Sequence, residues 1–251
     1  MSIDQSDIQR AVMDGNVGIV KSLLADDPKL ALTRDGDSRT PLHWATSCQN
    51  LEMVKILLDP SKYAKDQSGE KIIVDLDDYT DDSNWTPLHI AASAGDLEIF
   101  KLLATHEPIA DINAQTSTGQ TCLHYAVSKN HFFIVSYLLT DLKASARIKD
   151  KKNQLPLHRA AAIGSEKLVR YLVEIGKSPV NTVDSFGMSP LHHALAEGHA
   201  DVALLLVKYG ADWKQNTSDG HTVYDVALND KIRIFFKKGL IAEGILEEED
   251  N

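Results

Sequence analysis

Apolar residues recur along this chain in short blocks with i, i+3, i+4 spacing, as in Met53-Val54-Ile56-Leu57-Leu58, Ile134-Val135-Leu138-Leu139 and Val202-Leu205-Leu206. Each block predicts a helix that buries one face. Ahead of these blocks stands a shorter helical signal built on a four-residue core: Thr40-Pro41-Leu42-His43, Thr86-Pro87-Leu88-His89, Thr121-Cys122-Leu123-His124, Leu155-Pro156-Leu157-His158 and Ser189-Pro190-Leu191-His192. The Thr or Ser hydroxyl can cap a helix, and Pro suits the first helical position, where its missing N–H had no intrahelical partner. Two places before that cap come Ser38, Asn84, Gly119, Asn153, Gly187 and Gly220, small or turn residues suited to a hairpin tip. Gly15, Asn50, Gly95, Asn130, Gly164 and Gly198 then separate the first helix of each pair from the second.

The core leucines are 46, 35, 34 and 34 residues apart, and weaker copies begin at Ile8 and at Thr222-Val223-Tyr224-Asp225. A period near 33 with this hairpin, helix and helix order is that of ankyrin repeats. The expected fold is therefore an all-α ankyrin-repeat solenoid of about seven helix-turn-helix repeats joined by β-hairpin loops. One helix pair cannot bury its apolar faces alone, so the repeats must stack and the terminal ones must be modified as caps. Arg233, Lys237 and Lys238 fit a polar C-terminal cap. The long first interval carries an insertion of about 12 residues over the period, placed in 60–78 and read as a polar surface loop. Residues 1–240 are expected to form one ankyrin domain, and 241–251, with Glu247-Glu248-Glu249-Asp250, an acidic C-terminal tail.

A formal charge of -10 argues against a nucleic-acid surface and for a partner carrying positive charge. No membrane span or secretory leader is legible, so a monomer in the cytoplasm and nucleus is expected, with Cys48 and Cys122 as reduced thiols. Five of the ten histidines occupy the same place in the core motif. That repetition predicts neutral imidazoles bonded to backbone, because metal ligands must converge whereas repeat positions lie along a line. Gly176-Lys177-Ser178 lacks the glycine a phosphate loop needs, and no HExxH, GxSxG, GxGxxG or CxxC pattern occurs. Neither enzyme nor cofactor is expected.

Function then falls to the positions that stacking leaves variable, the hairpin tips and the ends of the first helices. The candidate partner-binding residues are Asp37, Arg39, Tyr79, Asp81, Asp82, Trp85, Ser93, Gln120, Lys129, Lys152 and Phe186. Among them an acid cluster, Asp75, Asp77, Asp78, Asp81 and Asp82 around Tyr79, looks suited to arginines, while Arg39, Lys129 and Lys152 supply the opposite sign. Charge patterning of this kind sets register and partner choice. Trp44 is expected to pack.

Several of these variable residues carry a more specific likeness. Asp37-Ser38-Arg39-Thr40, Leu42-His43-Trp44-Ala45, Asp81-Asp82, Trp85-Thr86-Pro87-Leu88-His89-Ile90-Ala91, Ser128-Lys129-Asn130 and Arg147-Ile148-Lys149-Asp150 resemble the gankyrin family, here of fungal type, whose members are ankyrin assembly chaperones of the proteasome regulatory particle. The resemblance spans roughly residues 5 to 238. It implies binding, through the concave face, to the C-terminal domain of one AAA+ ATPase subunit of the proteasome base, the third of its ring, and prevention of premature docking on the core particle. Asp37, Arg39, Asp82 and Lys129 match family contact positions. His193-Ala194-Leu195-Ala196-Glu197 departs from the LxCxE stretch of the mammalian member, so retinoblastoma-type binding is not implied. The competing reading is an ankyrin adaptor or inhibitor of another partner, such as a cyclin-dependent kinase or a transcription factor.

Overall fold

A computed structural model describes residues 6–65 and 71–247. The described residues contain thirteen α-helices and no β-strand, and the chain divides into two compact units, residues 1–118 and 119–251. The first unit holds α1 (Ser6–Met13), α2 (Val17–Asp26), α3 (Pro41–Ser47), α4 (Leu51–Leu58), α5 (Pro87–Ala94) and α6 (Leu97–Ala104). The second holds α7 (Cys122–Ser128), α8 (Phe132–Thr140), α9 (Pro156–Ala162), α10 (Glu166–Glu174), α11 (Pro190–Ala196), α12 (Ala200–Lys208) and α13 (Asp230–Ala242).

Within each unit, first helices pack on first helices and second helices on second helices: α1 on α3 and α3 on α5, α2 on α4 and α4 on α6, then α7 on α9 and α9 on α11, α8 on α10 and α10 on α12. All five core leucines, Leu42, Leu88, Leu123, Leu157 and Leu191, are buried. Each such side chain contributes about 1.5–3 kcal/mol of transfer free energy. The six tip residues read from sequence all have positive φ, between 56° at Asn84 and 82° at Gly220. At Gly187 the requirement is also steric, because a Cβ there would run into the backbone nitrogen of Ser218 in the next hairpin. The hairpins approach this closely because one backbone bond joins neighbours, Asp82 N–H to Asp37 O (3.1 Å), Ser117 to Ser83 (2.8 Å), Ser185 to Lys152 (2.9 Å) and Ser218 to Phe186 (3.0 Å).

Two expectations need correction. The insertion is not simply a polar loop: after a 3-10 turn at Pro60–Tyr63, Val74 and Leu76 are buried in the first unit, so its distal part joins the core. Its most polar residues, 66–70, lie outside the described residues, as do 1–5 and the end of the acidic tail, 248–251. The last repeat also lacks a first helix. Residues 222–229 form turns in which Asp225 accepts the Thr222 N–H and hydroxyl at 2.8 and 2.7 Å, and only α13 follows.

Candidate partner-binding surface

The core motif folds as its chemistry demands. The Thr40 N–H donates to His43 Nδ1 at 3.1 Å, and the same bond forms at Thr86–His89 (3.2 Å), Thr121–His124 (3.1 Å), Leu155–His158 (3.0 Å) and Ser189–His192 (3.2 Å). A ring nitrogen that accepts a backbone N–H carries no proton, so the proton sits on Nε2. From there His43 donates to the Trp85 carbonyl (3.1 Å), His89 to Ala114 (3.0 Å) and His124 to Gln154 (3.1 Å), each in the next hairpin. The Nε2 atoms of His158 and His192 lie towards the Thr182 and Gln215 carbonyls without reaching hydrogen-bond geometry. Burial holds His43 and His192 below the usual imidazole range and brings His124 and His158 down to about 4.

Each hairpin is also shaped by an acceptor five residues before the cap. The Oδ1 atoms of Asp35, Asp81, Asp150 and Asp184 each accept two backbone N–H groups, two and four residues on, at 2.8–3.0 Å. The second oxygen takes a side chain from a hairpin or a first helix. Trp44 Nε1 reaches Asp35 at 2.7 Å, Arg39 Nε reaches Asp81 at 3.2 Å and Arg159 Nη2 reaches Asp150 at 3.0 Å. Asp184 receives Gln154 Nε2 at 3.0 Å and lies 2.9 Å from His193 Nε2. Burial opposes ionisation of Asp35 and Asp184, yet these donors outweigh it and hold both carboxyls below the usual range. Sequence reading missed Asp35, Asp150, Asp184, Arg159 and His193. For the three aspartates the signal was an Asp five residues before the core motif, obscured by Thr116 and Thr217 at the same position.

Against this frame the candidate residues separate. In the first unit Asp37 and Asp82 are exposed at adjacent hairpins, with the Ser38 hydroxyl donating to Asp82 at 2.5 Å. Arg39 is half-buried, its guanidinium 5.1 Å from the Trp44 ring while its Nε is held by Asp81. Trp85 and Ser93 are half-buried. Two candidates do not present their polar groups outward. Asp81, 6% exposed, spends its carboxylate on the turn and on Arg39, and Tyr79 is 7% exposed, with burial pushing its phenol up to about 12. The acid cluster thus shrinks to Asp77, Asp78 and Asp82, with Asp75 half-buried. The chain already places an arginine beside it: Arg34 donates to the Thr80, Asp78 and Ser38 carbonyls at 2.5, 2.6 and 2.8 Å. In the second unit Lys129 and Lys152 are exposed, Gln120 is half-buried, and Phe186 projects from its hairpin tip 63% exposed.

Among the described residues no three His, Cys, Asp or Glu side chains converge as a metal-binding group, and no helix is long and apolar enough to cross a membrane.

Comparison with known proteins agrees with this architecture. Two family profiles match, "Ankyrin repeats (many copies)" over residues 8–58 and "Ankyrin repeats (3 copies)" over 67–150 and 140–217. The chain is 47% identical over 230 residues to a Saccharomyces cerevisiae protein described as "Probable 26S proteasome regulatory subunit p28", covering 91% of this chain and 96% of that one. It is 39% identical over 133 residues to the Schizosaccharomyces pombe ankyrin repeat-containing protein C6C3.08, about half of each chain (52% and 51%). Among solved structures, the ankyrin repeat domain of Bcl-3, a member of the IkappaB family, superposes with a TM-score of 0.71 at 23% identity, covering 90% of this chain and 96% of that one. The last likeness concerns the fold alone.

Proposed function

Because this chain belongs to the gankyrin family of ankyrin-repeat proteins, to which the p28 proteasome regulatory subunit is akin, we propose that it is an assembly chaperone of the proteasome regulatory particle. In this reading it binds the C-terminal domain of one AAA+ ATPase subunit of the base, the third of the ring, and keeps the unfinished base from docking on the core particle. It acts without catalysis or cofactor, in the cytoplasm and nucleus. The observation that carries the reading is 47% identity sustained over 91% of the chain. The exposed charges Asp37, Asp82 and Lys129 at hairpin tips and first-helix ends support it, because they are the places that repeat stacking does not constrain.

The geometry orders these residues. Arg39 is preorganised: Asp81 fixes Nε and Trp44 lies under the guanidinium, which leaves its two terminal nitrogens to meet a partner carboxylate with little further ordering. Asp82 and Lys129 are exposed charges, Asp82 accepting the Ser38 hydroxyl. Reversal of a charge that becomes desolvated in the complex should cost about 1.5 kcal/mol or more, roughly tenfold in affinity. Titration calorimetry with the purified ATPase C-terminal domain should therefore show at least that loss for Asp82→Lys and for Lys129→Glu, with unchanged circular dichroism. Arg39→Glu should lose more, and part of that loss will be conformational because Asp81 is stranded. Wild-type affinity retained by Asp82→Lys and Lys129→Glu would remove the assignment of these residues as contacts.

A further inference from the structure

The C-terminal end of the repeat stack is not finished with polar residues. Helix α13 packs on α12 through Phe236 and Leu240, both fully buried. On its opposite side Ile234 is 53% and Phe235 55% exposed, and Leu228, just before the helix, is 59% exposed. Lys231 and Lys238 bracket the pair at i-3/i-4 and i+3/i+4, so all four side chains lie on one stripe. Both lysines are exposed and form no ion pair among the described residues. Arg233 differs, being engaged by Asp230 at 3.1 Å and by the Tyr224 carbonyl at 3.0 Å. A terminal repeat needs a polar outer face to stay soluble, so an apolar pair flanked by cations at this position marks a surface meant to be covered.

We propose that the α13 stripe docks an amphipathic helix of a partner protein, with acidic residues flanking its apolar face, in the place a further repeat's helix would take. The stripe has the dimensions of two helical turns, which a facing helix matches with apolar residues at i, i+3, i+4 and i+7. Lys231 and Lys238, one at each end, select carboxylates on that helix and fix its register. Charge also disfavours other occupants. A second copy laid on the same stripe would set lysine against lysine, and a chain of net charge -10 is repelled by an anionic bilayer. Residues 245–247, which follow the helix, do not lie on this stripe. Gly244, at φ 67°, turns the chain so that the Ile245 and Leu246 N–H groups bond the Leu240 carbonyl. Ile245, Leu246 and Glu247 then line a groove with Trp213 and Tyr224, whose ring meets Phe236 on the packed face of α13.

This surface is separate from the hairpin face, and its test needs no proteasome component. The probe is a fluorescein-labelled, lactam-stapled helix of roughly 15 residues with Leu at i, i+3, i+4 and i+7 and Glu on both flanks, compared with the same helix carrying Lys flanks. Fluorescence anisotropy should show micromolar-range binding of the acidic helix to the full chain, weakening as salt rises. The Lys-flanked helix should not bind. Lys231→Glu/Lys238→Glu and, separately, Ile234→Ser/Phe235→Ser should each lose about tenfold or more with unchanged circular dichroism, since all four side chains are exposed. Absence of binding, equal binding of the two helices, or insensitivity to both double variants would overturn the proposal. So would sedimentation as a dimer that Phe235→Ser dissociates, or flotation of the chain with phosphatidylserine vesicles.

Discussion

Acidification is expected to unfold this protein through its core histidines, before its carboxylates are protonated. His124 and His158 have folded-state values near 4, against 6.5 when exposed, and His43 and His192 move in the same direction. A lowered imidazole value means that the unfolded chain binds more protons, so stability rises with pH and is lost as pH falls. Loss begins near pH 6.5, where the unfolded histidines charge, and continues until the folded ones charge near 4. With these values His124 and His158 together remove about 4 kcal/mol by pH 5 and about 6 by pH 4, a large part of the 5–15 kcal/mol that folded domains possess. Asp35 and Asp184, held low, add their own loss only below their ordinary value of 3.8. Urea unfolding followed by circular dichroism at a series of pH values should show this slope between 6.5 and 4.5. His124→Gln/His158→Gln should be less stable at pH 7 and flatter with pH. Stability that stays level from pH 7 to 5 would show that these imidazoles are protonated in the fold.

The same histidines show what could be read from sequence. Thr-Pro-Leu-His is local chemistry: cap, first helical residue, core leucine and backbone-bonded imidazole lie within four positions, so the pattern and its meaning travel together. The acceptor five residues earlier was harder to see because its partners are backbone atoms, and Thr116 and Thr217 replace the aspartate in two copies. For that reason Asp81 read as one more acid in an exposed cluster, although the turn requires its carboxylate to face inward. Tyr79 was misplaced for a related reason. Val74 and Leu76 carry its segment into the core, a strand-like alternation hidden inside a polar insertion. At the C-terminus attention to Arg233, Lys237 and Lys238 suggested a polar cap, whereas the helical angle puts Ile234 and Phe235 outside with Lys231 and Lys238. Asp37, Asp82, Lys129, Lys152 and Phe186 are exposed because variable tip and helix-end positions have no packing duty.

Replacement of Asp150 by alanine should be among the most destabilising single changes in the second unit, and its conservative variants should reveal why. Its Oδ1 accepts the Lys152 and Gln154 N–H groups at 2.8 and 2.9 Å, and its Oδ2 meets Arg159 at 3.0 Å, with the Asp150 side chain 3% exposed and that of Arg159 30%. Arg159 has no substitute acceptor at hand, its Nε being buried without a hydrogen-bond partner among the described residues. Two charge-assisted bonds to backbone and a partly buried ion pair together suggest a loss of about 3–5 kcal/mol for Asp150→Ala. Asp150→Asn keeps the turn acceptor but sets an amide against the guanidinium, and should lose about 1–2 kcal/mol. Asp150→Thr should fall between them, because a threonine hydroxyl can still accept a turn N–H, as Thr217 at the equivalent position accepts that of His221 at 3.1 Å, but offers no charge to Arg159. The hairpin tip that Asp150 shapes carries Lys152, so alanine should also displace a candidate contact residue while leaving its charge intact. Thermal unfolding of the three variants should rank them Asn, Thr, Ala in increasing damage. Equal stability of Asp150→Ala and wild type would mean that the hairpin is held by its inter-hairpin backbone bonds, with Asp150 only a passenger.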